Sequence, residues 1–102
     1  MTIKLSKVTL FNATAAATGT AFQCDWQNDG QQNRSIITTL ANGADSVDIQ
    51  TSFDGGTTWV SVLTAPHTGA TTPFLDRLAG PYDQLRVVKT GSAGNALVLG
   101  LI

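Results

Sequence analysis

The chain has 102 residues, a net charge of −1 and only 13 % charged residues. That length fits one domain with one hydrophobic core. The scattered Lys and Arg residues form no basic stripe of the kind that binds a phosphate backbone, so nucleic-acid binding is not expected. The chain contains no Glu, and Thr, Ser, Asn, Gln and Gly fill its polar positions. Because Glu, Lys and Arg favour helices whereas Thr, Val and Ile favour strands, the composition predicts strands and turns.

Short segments rich in β-branched or alternating apolar residues follow one another along the chain, with turn residues between them. The predicted strands are residues 3–11, 20–26, 35–41, 47–51, 59–62, 74–77, 84–90 and 95–102. No helical segments alternate with them, which disfavours a parallel sheet. The sequence therefore predicts a single all-β domain over residues 1–102. We expect an antiparallel β-sandwich or flattened barrel, immunoglobulin-like or jelly-roll-like, with seven or eight short strands.

The first predicted strand shifts its apolar phase between residues 3–5 and residues 8–10. A one-residue slip turns side chains to the other face of a sheet, so we expect a bulge near Ser6–Lys7. Residues 1–12 are interpreted as an N-terminal arm or edge strand, and residues 12–19 as a loop or plain edge segment. No long apolar run indicates a signal peptide or a membrane span, and membrane binding is not expected.

The second predicted strand places Phe22, Cys24 and Trp26 on one face, which we expect to be buried. Cys24 is the only cysteine, so it cannot form an intrachain disulfide and is interpreted as a small buried apolar residue. Further along, residues 42–45 begin with Asn-Gly, and residues 91–94 are all small. Both segments predict tight hairpin turns.

The most specific local pattern is the segment Ser52-Phe53-Asp54-Gly55-Gly56-Thr57-Thr58-Trp59. It resembles the Asp-box, S-x-D-x-G-x-T-W, of sialidases and other β-propeller proteins. The Asp side chain can accept hydrogen bonds from backbone amides one or two residues on, and glycines permit the turn. The box occurs once, and in sialidases it lies away from the active site. The resemblance implies a structural hairpin rather than a glycosidase, built by Ser52, Asp54, Gly56, Thr58 and Trp59.

Residues for catalysis or metal binding are few. Glycoside hydrolysis needs two paired carboxylates, and the candidates stand where turns and strand faces normally place Asp: Asp48, Asp54, Asp76 and Asp83. His67 is the only histidine, has no Cys or second His to share a metal, and is interpreted as a surface loop residue. We therefore predict no enzyme, no catalytic residue, no cofactor and no metal site.

Two features favour a role in protein binding. Residues 96–102 are nearly all apolar, which fits either a central strand buried between layers or a strand whose outer face is covered at a subunit interface. The polar loops at residues 27–33 and 65–73 could be ordered by contact with a partner. The sequence assigns no particular interface residues.

Three segments, residues 18–23, 45–56 and 82–91, carry a wider resemblance. Together they resemble small β-rich virion proteins of tailed bacteriophages, especially capsid decoration (cement) proteins. The resemblance implies synthesis in the host cytoplasm, a place in the virion, and binding to the outside of a lattice of major capsid protein. It also implies a homo-oligomer, with a trimer favoured. No binding residue of the family can be placed on this sequence, and a head protein is not separated from a tail or baseplate protein.

The leading functional hypothesis is therefore a structural protein that binds a phage capsid lattice and stabilises it. The alternative is a carbohydrate-binding module or a tail or receptor-binding domain. That alternative needs exposed aromatic rings as a platform for sugar faces, and Trp26 and Trp59 are its best candidates.

Overall fold

A computed structural model describes residues 7–23, 33–69, 73–79 and 84–101, and these residues form strands and turns without a helix. The strands in chain order are β1 Lys7–Ala13, β2 Ala17–Thr18, β3 Phe22–Gln23, β4 Asn33–Leu40, β5 Ser46–Ser52, β6 Val60–Ser61, β7 His67–Thr68, β8 Phe74–Ala79, β9 Gln84–Thr90 and β10 Ala96–Leu101. They build two antiparallel sheets, which confirms the predicted all-β fold class. The described residues hold no helix that could cross a membrane.

The first sheet, sheet A, has the strand order β1-β10-β4-β8. The last strand of the chain therefore lies inside this sheet, and β1 and β8 form its edges. The second sheet, sheet B, is centred on the antiparallel pair β5 and β9. The short strands β2 and β3 pair with the edge of β9 that faces away from β5. The short strands β6 and β7 pair with the edge of β5 that faces away from β9.

The core fills the space between the inner faces of the two sheets. Along β5 and β9 every second side chain is buried, as expected for strands with one face on a core. Sheet A contributes six buried apolar residues and sheet B contributes four: Phe11, Ile36, Leu40, Leu78, Ala96 and Val98 from sheet A, and Val47, Ile49, Leu85 and Val87 from sheet B.

The two predicted hairpin turns at residues 42–45 and 91–94 are instead crossings between the sheets. Residues 42–45 connect β4 of sheet A to β5 of sheet B, and residues 91–94 connect β9 of sheet B to β10 of sheet A. Gly43 does not take the positive φ of a tight hairpin. The Asn42 Oδ1 atom accepts from the Ala44 N–H at 2.9 Å and so bends the chain out of its sheet. The hairpin prediction was wrong because a turn signal does not tell which strands will pair.

Several strand limits also differ from the predicted ones. The proposed bulge at Ser6–Lys7 and the start of the arm lie at or outside the limit of the described residues, whereas β1 has a register shift between Thr9 and Phe11. β1 continues to Ala13, and Ala17–Thr18 forms a short strand paired with β9, within the segment that was predicted as a loop or plain edge segment. Phe22 packs against the core as expected. Cys24 and Trp26 lie outside the described residues.

Ile49 on the core-facing side of sheet B and Ile37 on the outer side of sheet A provide a test of which strand faces are buried. Ile49 is fully buried in β5, whereas Ile37 on β4 points outward and is 37 % exposed. Replacing Ile49 with Ala should lower the free energy of unfolding by about 2–5 kcal/mol, because it leaves a core cavity. Ile37→Ala should cost less, about 1 kcal/mol, because the side chain borders solvent and its removal leaves no enclosed cavity. Urea unfolding of both variants measures the difference, and equal losses would contradict the assigned faces.

Candidate functional site

The hairpin between β5 and β6 brings the Asp-box-like residues together. Ser52 is only 1 % exposed; its hydroxyl donates to Asp54 Oδ1 at 2.8 Å and accepts from the Gly56 N–H at 2.9 Å. Asp54 Oδ1 also accepts from the backbone N–H groups of Thr57 at 3.1 Å and Thr58 at 2.8 Å. The box is thus a closed hydrogen-bonded loop on which one carboxylate oxygen is the common acceptor.

The same contacts set the ionisation of Asp54. Its pKa is lowered from 3.8 to about 2, first by the hydrogen bond from the Thr58 backbone amide and then by bonds from the Thr58 and Ser52 side chains. Hydrogen bonds to a carboxylate favour its charged form. A general acid needs a raised pKa, so this carboxylate is suited to holding the turn and not to donating a proton.

Trp59 closes the hairpin and is half-buried. Its indole Nε1–H donates to the Gly56 carbonyl at 2.9 Å. The guanidinium carbon of Arg86 lies 4.2 Å from the ring centroid, in cation–π contact. One face and the polar edge of this ring are therefore engaged inside the domain. At most one face of the Trp59 ring is left for a sugar, and Trp26, the other candidate, lies outside the described residues.

A buried ion pair that the sequence did not reveal joins the crossing at residues 42–45 to the crossing at residues 91–94. The Lys89 ammonium lies 3.1 Å from Asp45 Oδ2, and the two side chains are 0 % and 1 % exposed. Lys89 comes from β9, and Asp45 closes the crossing before β5. We call this pair the clasp.

Both charged groups of the clasp also form hydrogen bonds with the backbone. Asp45 accepts from the N–H groups of Ala93 at 3.0 Å and Gly94 at 2.8 Å, both in the second crossing. Lys89 donates to the carbonyls of Thr14 at 2.7 Å and Gly91. The clasp therefore ties the crossings to the loop after β1. Buried charges with this many partners avoid the penalty of an unpaired ion.

Gly91 is required at its position for two reasons. Its φ is +92°, which residues with a Cβ rarely adopt. A Cβ at Gly91 would also lie 2.4 Å from Asp45 Oδ1, inside the clasp.

The hydrogen bond from the Ala93 amide is the main cause that holds the pKa of Asp45 below its ordinary value. The Gly94 amide and Lys89 act in the same direction, and burial opposes them. A signal for the clasp exists in the sequence, since Lys89 stands in phase with Leu85 and Val87 on a buried face.

His67 is not the surface loop residue that we expected. It lies on β7 opposite Val47, in the phase that points between the sheets, and its side chain is 18 % exposed. Its Nε2 atom is 2.6 Å from Asp76 Oδ2 on β8, and its ring stacks on Phe74 with centroids 4.2 Å apart. The local sequence missed this because β7 is a two-residue strand inside a proline-bounded loop. The pair closes the open edge between the two sheets.

The candidate carboxylates are distributed over different parts of the fold. Asp48 lies on the outer face of sheet B and accepts from Ser61 at 2.6 Å, Asp54 lies in the hairpin, and Asp76 lies on sheet A. Asp83 is outside the described residues. Among the described residues no group of three or more His, Cys, Asp or Glu side chains could hold a metal ion.

The outer surfaces of the two sheets differ in character. On sheet B the outward side chains form a polar chain, in which Arg86 donates to Gln50 at 2.8 Å and Gln50 donates to Asp48 at 3.4 Å. On sheet A the outward residues Leu99, Ile37 and Leu75 are matched across β10, β4 and β8. Leu97 lies beside them, and we call these four residues the apolar row. Ile37 is 37 % and Leu75 60 % exposed.

This geometry bears on the two interpretations of residues 96–102. β10 is an inner strand of sheet A, flanked by β1 and β4, and its inward residues Ala96 and Val98 are fully buried. Its outward residues Leu97 and Leu99 are half-buried beside the exposed Ile37 and Leu75. The strand is therefore central within its sheet, and its outer face belongs to an apolar surface.

Comparisons with protein-family models, with curated proteins and with solved structures give no match for this chain.

The clasp provides a stability test. Lys89→Met leaves the Asp45 carboxylate buried without its cation and should lower the free energy of unfolding by about 3–5 kcal/mol. The control is Arg86→Met, three residues earlier on the outer face of the same strand, which should cost about 1 kcal/mol because that cation is partly solvated. Combining Lys89→Met with Asp45→Asn should recover part of the loss. Urea unfolding would count against the clasp if both single variants lost the same amount.

The Asp54 carboxylate predicts a particular acid response. Because its folded pKa of about 2 lies below the ordinary value of 3.8, its ionised form stabilises the fold. That contribution is complete above pH ~4 and disappears as the pH falls through ~2. The stability difference between wild type and Asp54→Asn should therefore be largest near neutral pH and shrink over this acid range. Denaturant unfolding at a series of pH values measures it, and a difference independent of pH would contradict the assigned role.

Proposed function

We propose that this chain is a structural virion protein that binds the outer surface of a tailed-phage capsid lattice and stabilises it. The supporting observation is the apolar row on the outer surface of sheet A, where Leu75 and Ile37 are exposed. On sheet B the outward residues Asp48, Gln50 and Arg86 form a polar chain, and the exposed apolar residues Phe53 and Val60 lie apart from it at the β5–β6 hairpin. Contiguous exposed apolar surface on a small domain is typical of a protein-binding site. The identity of the partner as major capsid protein rests on the resemblance of residues 18–23, 45–56 and 82–91 to decoration proteins.

Five ionisable groups of the described region fit a structural role. Asp45 and Lys89 hold the crossings, Asp54 holds the hairpin, and His67 contacts Asp76 between the sheets. Each of these groups has a partner within the fold. We therefore propose a non-enzymatic protein whose polar side chains serve its rigidity. A rigid surface loses little conformational entropy when it binds.

The resemblance also supports self-association, and we include a homo-oligomer, with a trimer favoured, in the proposal. In the virion, each subunit would contact neighbouring capsid subunits and so oppose their separation. An oligomer that binds the lattice through several linked subunits at once would add avidity to individually modest contacts.

The alternative is a carbohydrate-binding module or a receptor-binding domain of the tail. Trp59 would be its natural platform, but the ring is engaged by Arg86 and Gly56. This observation favours the structural role over sugar binding.

The test of the proposed function is binding to purified phage particles. The chain is mixed with heads that lack it and, separately, with purified tails, and each mixture is sedimented. We expect saturable binding to heads, a higher temperature of head disruption when the chain is bound, and no retention on immobilised glycans. Binding to tails or glycans without binding to heads would refute the proposal.

A further inference from the structure

We infer that the apolar row is the surface that docks on the capsid, and that its target is an apolar patch of capsid protein bordered by carboxylates. This inference rests on the proposed function and specifies its contact surface. The row runs across sheet A in register, with Leu99 opposite Ile37 and Ile37 opposite Leu75. Leu75 is 60 % exposed, and Ile37 is 37 % exposed. Burying such side chains is favourable in proportion to the apolar area removed from water.

The outer surface of sheet A that carries the apolar row, here called the face, is too small to favour a second copy of the chain as its binding partner. Four strands ~4.8 Å apart, each with about six residues rising ~3.3 Å, give a footprint of roughly 400 Å². A stable pair of proteins buries about 800 Å² on each partner. Two copies packed on this face alone would hold each other weakly. Self-association of this chain therefore uses other surfaces, and the face is suited to a partner that offers many equivalent sites.

The charge at the margin of the face indicates the chemistry of that partner. Arg77 is exposed on β8, in the same outward phase as Leu75 and opposite Ser35 on β4. The described carboxylates lie elsewhere: Asp45 in the clasp, Asp48 on sheet B, Asp54 in the hairpin and Asp76 between the sheets. The face thus combines apolar side chains with a cation and lacks an anion among its described residues. A complementary surface presents apolar groups with Asp or Glu beside them.

A small apolar face with one marginal charge predicts weak binding at each single site. In the proposed homo-oligomer, once the apolar row of one subunit is bound, the rows of the linked subunits meet neighbouring lattice sites at high effective concentration, and avidity then exceeds single-site affinity by about 10²–10⁴. The free capsid subunit should therefore bind poorly, while the assembled head binds well.

The experiment measures binding of the full chain to heads that lack it and to isolated major capsid protein subunits. Leu75→Ser should weaken binding to heads about 10-fold, because an exposed Leu loses its burial in the contact. Arg77→Glu should weaken binding more than Arg77→Gln does, and raising the salt concentration should reduce the gap between the two. The matched control is Val88→Thr, a half-buried outward residue on sheet B, which should bind like wild type. Urea unfolding of each variant checks that the fold is retained.

The outcomes separate this inference from the proposed function. If wild type fails to bind heads, the proposed function itself is wrong. If wild type binds and Leu75→Ser binds equally well, the docking face is wrong while the function stands. If analytical ultracentrifugation shows a wild-type oligomer that Leu75→Ser dissociates, a second copy covers the face and the inference is overturned. If isolated subunits bind as tightly as heads, the argument from weak single sites is overturned.

Discussion

The clasp between Lys89 and Asp45 is the interaction on which the arrangement of the two sheets most depends. Two of the connections between the sheets, residues 42–45 and residues 91–94, meet at this ion pair, because Asp45 ends the first and accepts the amides of Ala93 and Gly94 in the second. The Lys89 ammonium adds the carbonyls of Thr14 and Gly91. Buried charges impose a strict geometry, since any displacement leaves an ion without partners in a medium of low dielectric constant.

That geometry has a consequence for the surface of the molecule. Because the chain crosses between sheets before β5 and after β9, the strand β10 enters sheet A between β1 and β4. Its outward leucines then stand in register with Ile37 and next to Leu75. On sheet B, a polar chain that includes Arg86 and Gln50 covers the outward face. The same topology that encloses one core thus leaves the apolar row on the outside of sheet A and a polar chain on the outside of sheet B.

The sequence predicted the parts of this fold that depend on neighbours along the chain. The alternation of β5 and the limits of β9 follow directly from the period of their apolar residues, and the hairpin around Asp54 follows from its spacing. It did not predict that residues 42–45 and 91–94 cross between sheets, because strand pairing is decided by tertiary packing. For the same reason the contact of Lys89 with Asp45, and that of His67 with Asp76, were not found. The apolar character of residues 96–102 was evident from the sequence. The apolar row across three strands could be recognised only from the pairing register of those strands.

Amide hydrogen exchange in the free chain tests the central claim about the clasp most directly. The amides of Ala93 and Gly94 belong to a connection that is not a strand, yet both donate to the buried Asp45 carboxylate. Our account predicts that they exchange about as slowly as the amides of the central pair β5 and β9, because they open only when the sandwich unfolds. Exchange at the rate of an exposed loop would show that the crossings open independently and would contradict the account.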